Sequence, residues 1–325
     1  METTSKIYIA GHTGLVGSAL VRTLEAKGYR NLVFRTIEQL DLMRADDVEA
    51  FFQAEKPEYV FLAAAKVGGI HANNTYPAEF IRSNLAIQTN VIHSAYVHGV
   101  KRLLFLGSSC IYPKLCPQPM KEEFLLSGPL EPTNEPYAIA KIAGIKYCES
   151  YNRQYGTHFV AVMPTNLYGQ GDNFDLKNSH VLPAMMRKIH QAVQQNEPSV
   201  TIWGTGTPRR EFLLVDDMAD GCVFVMNLPE GVLKENFLSY PKPCFVNLGA
   251  GVDLTIAELA KMVARVIGFN GKLVFDPSKP DGTLKKLLDV TRLSSLGWKA
   301  KTDLATGIAA TYDWFCKKFK ETSNP

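Results

Sequence analysis

Tyr137 and Lys141 are the residues whose types and spacing most directly suggest chemistry. They stand four positions apart in Tyr137-Ala138-Ile139-Ala140-Lys141, so on a helix they would share one face. A nearby ammonium favours a phenolate, which predicts a tyrosine pKa lowered toward the working pH. Ser108 follows a predicted strand and could reach the same carbonyl. We expect acid–base chemistry at a carbonyl oxygen; a solvated helix face is the alternative.

Two further side chains, Cys110 and His180, titrate in a range that suits proton transfer. The thiol closely follows Ser108 in Gly107-Ser108-Ser109-Cys110, and the imidazole precedes a predicted helix. Each has an ordinary structural interpretation as well. A cysteine in an apolar segment is most often a small buried hydrophobe, and a histidine in a polar segment can simply flank a helix.

A glycine-rich turn joins the first predicted strand to the first predicted helix. Glycine lets the backbone turn tightly and approach a pyrophosphate, whose charge then meets the free N–H groups of a helix terminus. We therefore predict a dinucleotide site here, with His12 contributing its backbone rather than its ring. The predicted turn consists of Gly11, His12, Thr13, Gly14, Leu15, Val16 and Gly17.

The residues after the second predicted strand bear on the choice of cofactor. Arg35 stands at the strand's tip and suits the 2′-phosphate of NADP, whereas an acid there would hold the ribose of NAD. Nearby Glu38 leaves NAD open. Asp41 and Leu42 could reach the adenine edge, although an aspartate that opens a loop is equally a turn residue.

The elements that must position these residues alternate between short apolar strands and longer helices. Near-continuous apolar strands separated by helices indicate a parallel sheet covered on both faces. We expect an α/β, doubly wound (Rossmann) fold whose ligands lie beyond the carboxyl ends of the strands. The predicted strands are Lys6–Ala10, Asn31–Thr36, Tyr59–Ala65 and Leu103–Ser108, and the predicted helices among them are Leu15–Lys27 and Asp46–Glu55.

The second half of the chain predicts a smaller, mixed α/β substrate lobe. Thr255 to Gly268 has the pattern of a helix, with Thr255 and Glu258 as a capping box. A last helix is expected over Leu304 to Phe319. We assign residues 1–170 and 212–249 to the dinucleotide-binding domain and residues 171–211 and 250–325 to the substrate lobe.

Composition excludes several classes of protein. The chain has 325 residues, and its 35 basic and 32 acidic residues leave a net charge of +3, with no dense basic run to suggest nucleic acid or a membrane surface. The six cysteines form no CxxC pair, which argues against zinc and a disulfide scaffold. We expect no metal, no membrane span and a cytoplasmic location.

Together, the glycine turn and the Ser/Tyr/Lys set resemble the extended, sugar-nucleotide branch of the short-chain dehydrogenase/reductase superfamily. Longer segments are similar to the GDP-L-fucose synthase family over nearly the whole chain. These segments are Ala63–Ile70, Asn73–Pro77, Leu106–Pro113, Glu131–Tyr137, Met163–Gly169, Asn178–Val181 and Lys279–Gly282. That family epimerises C3 and C5 of GDP-4-keto-6-deoxy-D-mannose and then reduces C4 with NADPH.

The resemblance implies roles for the catalytic set. Cys110 would act as base and His180 as acid in the epimerisations, while Ser108 and Tyr137 would donate hydrogen bonds to the C4 oxygen. Tyr137 would then protonate that oxygen, with Lys141 holding the nicotinamide ribose. Beyond the glycine turn, Arg35, Asp41, Leu42, Ser108, Lys141 and His180, the implied cofactor-binding residues are Leu106, Gly107, Pro164, Thr165, Asn166 and Leu167.

The family pattern also picks residues for the sugar nucleotide. These are Lys188, Trp203, Arg210 and Asp281, and basic side chains are expected near a diphosphate. Helical spacing alone would instead place Arg187 on the face of His180, and the Pro-Asp-Gly segment at Asp281 is also a plain turn signal. Helices near Leu85–Val97 and Tyr137–Tyr155 resemble the pair that forms a four-helix homodimer interface in this superfamily.

Two other functions stay open on the sequence. A redox-neutral sugar-nucleotide epimerase or dehydratase would keep its NAD(P) bound and cycle it. A non-catalytic dinucleotide-sensing protein would retain the fold without turnover, which the intact Ser/Tyr/Lys set opposes.

Overall fold

A computed structural model describes residues 1–176, 179–279 and 281–321. Asn178 and Pro280, which belong to two of the segments named above, lie outside the described residues. Within the described part, the strands are β1 (Ile7–Ala10), β2 (Leu32–Val33), β3 (Tyr59–Leu62), β4 (Arg102–Leu106), β5 (Phe159–Pro164), β6 (Asn166–Tyr168), β7 (Ser199–Trp203), β8 (Arg209–Leu214), β9 (Phe245–Leu248), β10 (Asp253–Thr255), β11 (Lys272–Asp276) and β12 (Lys285–Lys286).

The helices cover most of the segments between these strands. They are α1 (Leu15–Ala26), α2 (Ala45–Glu55), α3 (Ile70–Thr75), α4 (Pro77–Val97), α5 (Glu135–Tyr155), α6 (Val181–Gln194), α7 (Val215–Met226), α8 (Glu230–Leu233), α9 (Ile256–Ile267), α10 (Thr291–Ser295) and α11 (Leu304–Glu321). None of the helices in the described ranges combines the length and apolar character that crossing a membrane requires.

A parallel sheet of six strands forms the centre of the fold, in the order β2-β1-β3-β4-β5-β9. Strands β1 and β5 are buried along their whole length, as expected when helices cover both faces. One face packs on α2, α4 and α5 and the other on α1 and α7. The predicted α/β doubly wound fold is confirmed.

The smaller lobe is built from β-pairs and an amphipathic helix layer. Strand β8 pairs with β6, β10 and β12, and β7 pairs with β11. Helices α6, α9 and α11 share one apolar core with these strands. The capping box of Thr255 and Glu258 is present at the start of α9, and Gly268 ends that helix in the left-handed conformation, so both predictions are confirmed.

Three strands end earlier than the sequence predicts; the fourth strand along the chain, β4, ends at Leu106 rather than Ser108. The second strand ends at Val33 rather than Thr36; β2 is an edge strand with one neighbour, and the chain turns away where Arg35 pairs with Glu55 and the Thr36 N–H donates to the Gln39 amide oxygen. The third strand ends at Leu62, so Ala63–Ala65 form the loop beyond it.

The predicted division into two domains stays a prediction. In its favour, every strand of the central sheet lies within 1–170 or 212–249. However, Trp298, in the segment assigned to the lobe, packs against the α1–α7 side and its indole N–H donates to Asp220.

Candidate active site

A cavity of about 1450 Å³ opens at the carboxyl ends of the central strands and extends to the smaller lobe. The predicted catalytic, cofactor and substrate residues come together around it from widely separated segments. His12 is the one exception. The predicted residues that line the cavity are Gly11, Thr13, Gly14, Leu15, Val16, Gly17, Arg35, Asp41, Leu42, Leu106, Gly107, Ser108, Cys110, Tyr137, Lys141, Pro164, Thr165, Asn166, Leu167, His180, Lys188, Trp203, Arg210 and Asp281.

The glycine turn packs so closely against itself and against the loop after β3 that side chains at two of its glycines would clash. Gly11 has φ +85°, and a Cβ there would lie 2.8 Å from the Ala64 backbone. A Cβ on Gly17 would lie 2.0 Å from the Gly11 carbonyl oxygen. At Gly14, the N-cap of α1, the nearest atom to a Cβ is 3.5 Å away. Gly14 also lines the cavity, so the start of α1 faces it, and this glycine cradle, residues 11–17, fits the pyrophosphate of a dinucleotide.

His12 turns its ring away from this cradle. The imidazole stacks on Phe34 with ring centroids 4.6 Å apart. Its Nδ1 is buried and without a hydrogen-bond partner among the described residues, and burial lowers its pKa. The predicted contact through the His12 backbone stays a prediction.

Arg35, which would suit NADP, and Glu38, which would suit NAD, both line the predicted adenosine end of the cavity. The Arg35 guanidinium lies 2.5 Å from the Glu55 carboxylate and 5.5 Å from the Phe51 ring centroid. Glu38 is exposed on the same cavity wall. Asp41 accepts a hydrogen bond from the Met43 N–H, as a turn residue would. Arg35 is held in place and still faces the cavity.

The Tyr137–Lys141 pair lies on the first half of α5, facing the end of β4. The Lys141 ammonium donates to the Leu106 carbonyl oxygen at 2.7 Å and lies 5.7 Å from the centroid of the Tyr137 ring. Burial lowers the pKa of Lys141 to about 8. Burial, followed by the charge of Cys110, raises the pKa of Tyr137, and hydrogen bonding with Ser108 opposes the rise.

The expected lowering of the tyrosine pKa is therefore wrong. Desolvation of the phenolate and the charge of Cys110 outweigh the hydrogen bond with Ser108, and the Lys141 ammonium donates to a carbonyl oxygen instead. Tyr137 is held as a neutral phenol, which is the form that donates a proton.

Cys110 and His180 come from separate segments of the chain and line the same cavity. Cys110 sits in a 3₁₀ turn (Ser109–Ile111) whose cap is Ser108, and its N–H donates to the Ser108 hydroxyl at 3.4 Å. Burial raises the pKa of the thiol. His180 is the N-cap residue of α6, and desolvation by the surrounding protein lowers the pKa of its imidazole.

The predicted substrate residues form the far wall of the cavity. The Lys188 ammonium lies 4.9 Å from the centroid of the exposed Trp203 ring. Arg187, the alternative on the same helix, instead donates to the Phe174 carbonyl oxygen at 3.0 Å and does not line this cavity. Asp281 accepts hydrogen bonds from the Thr205 N–H at 2.7 Å and hydroxyl at 2.8 Å.

Three polar residues of the cavity wall received no role from the sequence. Asn134 and Ser179 each have a buried side-chain oxygen without a hydrogen-bond partner among the described residues. Lys286, on β12, lies close enough to Cys110 for its charge to lower the pKa of the thiol. Asn134 and Ser179 belong to segments that carried the family resemblance, which was a usable signal. Lys286 stands outside those segments.

The comparisons with known proteins agree with this geometry. Residues 7–238 match the model of the "NAD dependent epimerase/dehydratase family". This chain belongs to that family. A relative named "Putative GDP-L-fucose synthase 2" from Arabidopsis thaliana is 60% identical, over 97% of this chain and 93% of its own. "GDP-L-fucose synthase" of Escherichia coli (strain K12) is 58% identical, over 95% of this chain and 96% of its own.

A solved structure of a family relative is also similar. "MlghC, GDP-mannoheptose C4 reductase from Campylobacter jejuni with NADP bound" has a TM-score of 0.88 at 43% identity, and the match covers 97% of this chain and 99% of that one. The resemblance to an extended short-chain dehydrogenase/reductase is thereby confirmed.

Proposed function

We propose that this chain is a GDP-L-fucose synthase, which epimerises C3 and C5 of GDP-4-keto-6-deoxy-D-mannose and reduces C4 with NADPH to give GDP-L-fucose. One observation carries the proposal. Ser108, Cys110, Tyr137, Lys141 and His180 line one cavity that also contains the glycine cradle. Full-length relatives with that name, at 58–60% identity, support the same substrate.

The epimerisation step follows from the acidity that a ketone gives its neighbours. Removing a proton from C3 or C5 places negative charge on the C4 oxygen, where Ser108 and Tyr137 would donate hydrogen bonds. Cys110 would take the proton from one face of the sugar and His180 would return one from the other. A thiol and an imidazole on one cavity suit this two-sided transfer.

The reduction step uses the same oxygen. NADPH, when bound in the glycine cradle, supplies the hydride for C4. Tyr137, kept neutral by burial, would give its proton to the C4 oxygen. The Lys141 ammonium, fixed by the Leu106 carbonyl, would orient the nicotinamide ribose. Arg35 at the other end of the cradle supports a preference for the 2′-phosphate of NADPH.

The substrate end supplies positive charge and an aromatic surface. Arg210 and Lys188 would bind the diphosphate. Trp203 offers an exposed ring beside Lys188, suited to a nucleotide base. Both carboxylate oxygens of Asp281 already accept hydrogen bonds from Thr205. Asp281 would contact the sugar nucleotide either through the remaining lone pairs of these oxygens or after its hydrogen bonds to Thr205 break.

The decisive experiment is incubation with GDP-4-keto-6-deoxy-D-mannose in deuterated water, with and without NADPH. We expect deuterium at C3 and C5 before any reduction. Cys110→Ser should slow this exchange by about 10²-fold or more while cofactor binding is kept, and Tyr137→Phe should block reduction more than exchange. Cys316→Ser and Tyr155→Phe are the matched controls. NADPH oxidation without label at C3 and C5 would contradict the proposal, as would parent-like exchange in Cys110→Ser.

We also propose a homodimer through α4 and α5. Their outer face carries stacked Tyr96 and Tyr155 rings, with centroids 4.2 Å apart, and an exposed Val97. Tyr155→Glu should give a monomer by light scattering, whereas Leu115→Glu, at a site 91% exposed, should not.

A cytoplasmic location is proposed as well, supported by the six free cysteines; fractionation of cells tests it.

A further inference from the structure

Lys286 lines the cavity, and its backbone is held by strand pairing and by hydrogen bonds of the residues that follow it. Strand β12 runs parallel to β8, with Lys286 in register with Arg210. The next two N–H groups donate to the Gln118 amide oxygen at 2.9 Å and to the buried Glu211 carboxylate at 3.0 Å. The Lys286 side chain therefore starts from a rigid position, and it lines the same cavity as Cys110.

No described residue neutralises the Lys286 ammonium through a hydrogen bond or ion pair. The adjacent Lys285 differs, because its ammonium lies 3.4 Å from the Asp253 carboxylate. The charge of Glu131 acts to raise the pKa of Lys286, but the Glu131 carboxylate forms its ion pair with the Lys114 ammonium, at 3.0 Å. Burial lowers the pKa of Lys286, and the charge of Arg210 adds to that effect. A cation in this position will favour any negative charge that forms beside it.

The thiol of Cys110 needs such a charge if it is to act as a base. Burial raises the pKa of Cys110 and lowers that of His180, so the surroundings favour a neutral thiol and a neutral imidazole. Among the groups that favour the thiolate, Lys286 contributes most, followed by Ser108 and then Lys141. Burial is the only resolved cause of the shift at His180, so the charge of Lys286 favours the thiolate without a matching effect on the imidazole. Burial also raises the pKa of Cys116, a second thiol near Lys286, and the same charge opposes that rise.

From this cluster of groups in one cavity, we propose that Lys286 is a positioning residue that stabilises the thiolate of Cys110 for proton abstraction. The inference rests on the proposed epimerase function. In the step concerned, the thiolate forms an S–H bond with a proton from C3 or C5, and the C–H electron pair moves into the enolate, with its charge on the C4 oxygen. The His180 imidazolium then gives a proton to the opposite face of that carbon. A neutral thiol and imidazole remain, and exchange with water restores the charged pair.

The first test needs no substrate. The alkylation rate of Cys110 by iodoacetamide is measured in the full-length protein between pH 6 and 10, by mass spectrometry of the tryptic peptide Leu103–Lys114, which contains no other cysteine. We expect Lys286→Met to slow alkylation about tenfold at pH 7 and to raise the half-maximal pH by about one unit. Lys286→Arg should restore the parent profile, and Lys285→Met should leave it unchanged.

The second test follows deuterium exchange at C3 and C5 against pH. Lys286→Met should lose about tenfold at pH 7 and recover at higher pH, with its affinity for GDP unchanged. If Lys286→Met weakens GDP binding but leaves the alkylation profile intact, Lys286 binds the diphosphate and the proposal is overturned. Absence of exchange in the parent protein would defeat the proposed function alone, because the alkylation profile would still decide the lysine–thiol relation.

Discussion

The two ends of the cavity are built in different ways. At the nucleotide end, six of the seven residues of one continuous turn, 11–17, line the cavity, and close backbone packing at its glycines shapes that turn. At the substrate end, single side chains arrive from separate elements: Lys188 from α6, Trp203 from β7, Arg210 from β8 and Lys286 from β12. A backbone site depends on space, whereas a side-chain site depends on charge and on the packing of strands distant in sequence.

This difference predicts that the two ends fail differently when mutated. A substitution at the nucleotide end should act through steric exclusion and leave the substrate end intact. A substitution at the substrate end should change substrate affinity without changing the affinity for NADPH.

Gly17→Ala should cause the largest loss. Its Cβ would lie 2.0 Å from the Gly11 carbonyl oxygen, so the turn must move. We expect destabilisation of about 2 kcal/mol or more in urea unfolding and loss of NADPH binding by fluorescence titration. Gly14→Ala is the matched control, since its nearest contact of 3.5 Å is ordinary; it should stay folded and lose about tenfold in NADPH affinity. Equal destabilisation of both variants would refute a steric origin.

Arg210→Met should act only at the other end. Removing a charge-assisted contact to a diphosphate should raise the KM for the GDP-sugar roughly 10- to 100-fold, with the Kd for NADPH unchanged. Arg209→Met is the control, because alternation along β8 turns Arg209 the other way, where it bonds to Asp253 at 2.8 Å. Steady-state kinetics and NADPH titration distinguish the two. A parallel rise in the Kd for NADPH would show that the ends are coupled.

Asp172, in the segment between Gly169 and α6, should affect stability and its pH dependence rather than turnover. Burial raises its pKa from 3.8 to about 7, and one carboxylate oxygen is buried without a partner among the described residues. The folded state therefore keeps a proton that the unfolded chain releases above pH 4, and this stabilisation is lost as the pH rises through 7.

Asp172→Asn should remove that loss. The free energy of unfolding of the variant relative to the parent should increase by about 1 kcal/mol or more between pH 5 and pH 8, measured by urea titration at each pH. Asp303→Asn serves as the comparison, because its pKa is lowered by hydrogen bonding to Thr306 and should give no such increase over this range. A pH-independent difference for Asp172→Asn would contradict the burial argument.

The amino-acid sequence was enough to predict the parallel α/β fold, the glycine turn and the Tyr137–Lys141 pair. Each depends on short-range spacing, which fixes which side chains share a strand, a turn or a helix face. The boundaries of α1 and α9 were predictable for the same reason, since Gly14 and the Thr255 capping box act locally.

The electrostatics of the site could not be predicted from the sequence, because they depend on burial and on how distant segments pack. Burial raises the pKa of Tyr137, whereas the neighbouring lysine suggested that it would be lowered. Helix α6 is oriented so that Lys188 rather than Arg187 lines the cavity. Lys286 and Cys110 line the same cavity although the two are far apart in the chain. Such effects come from desolvation and from contacts between distant segments, and local spacing contains neither.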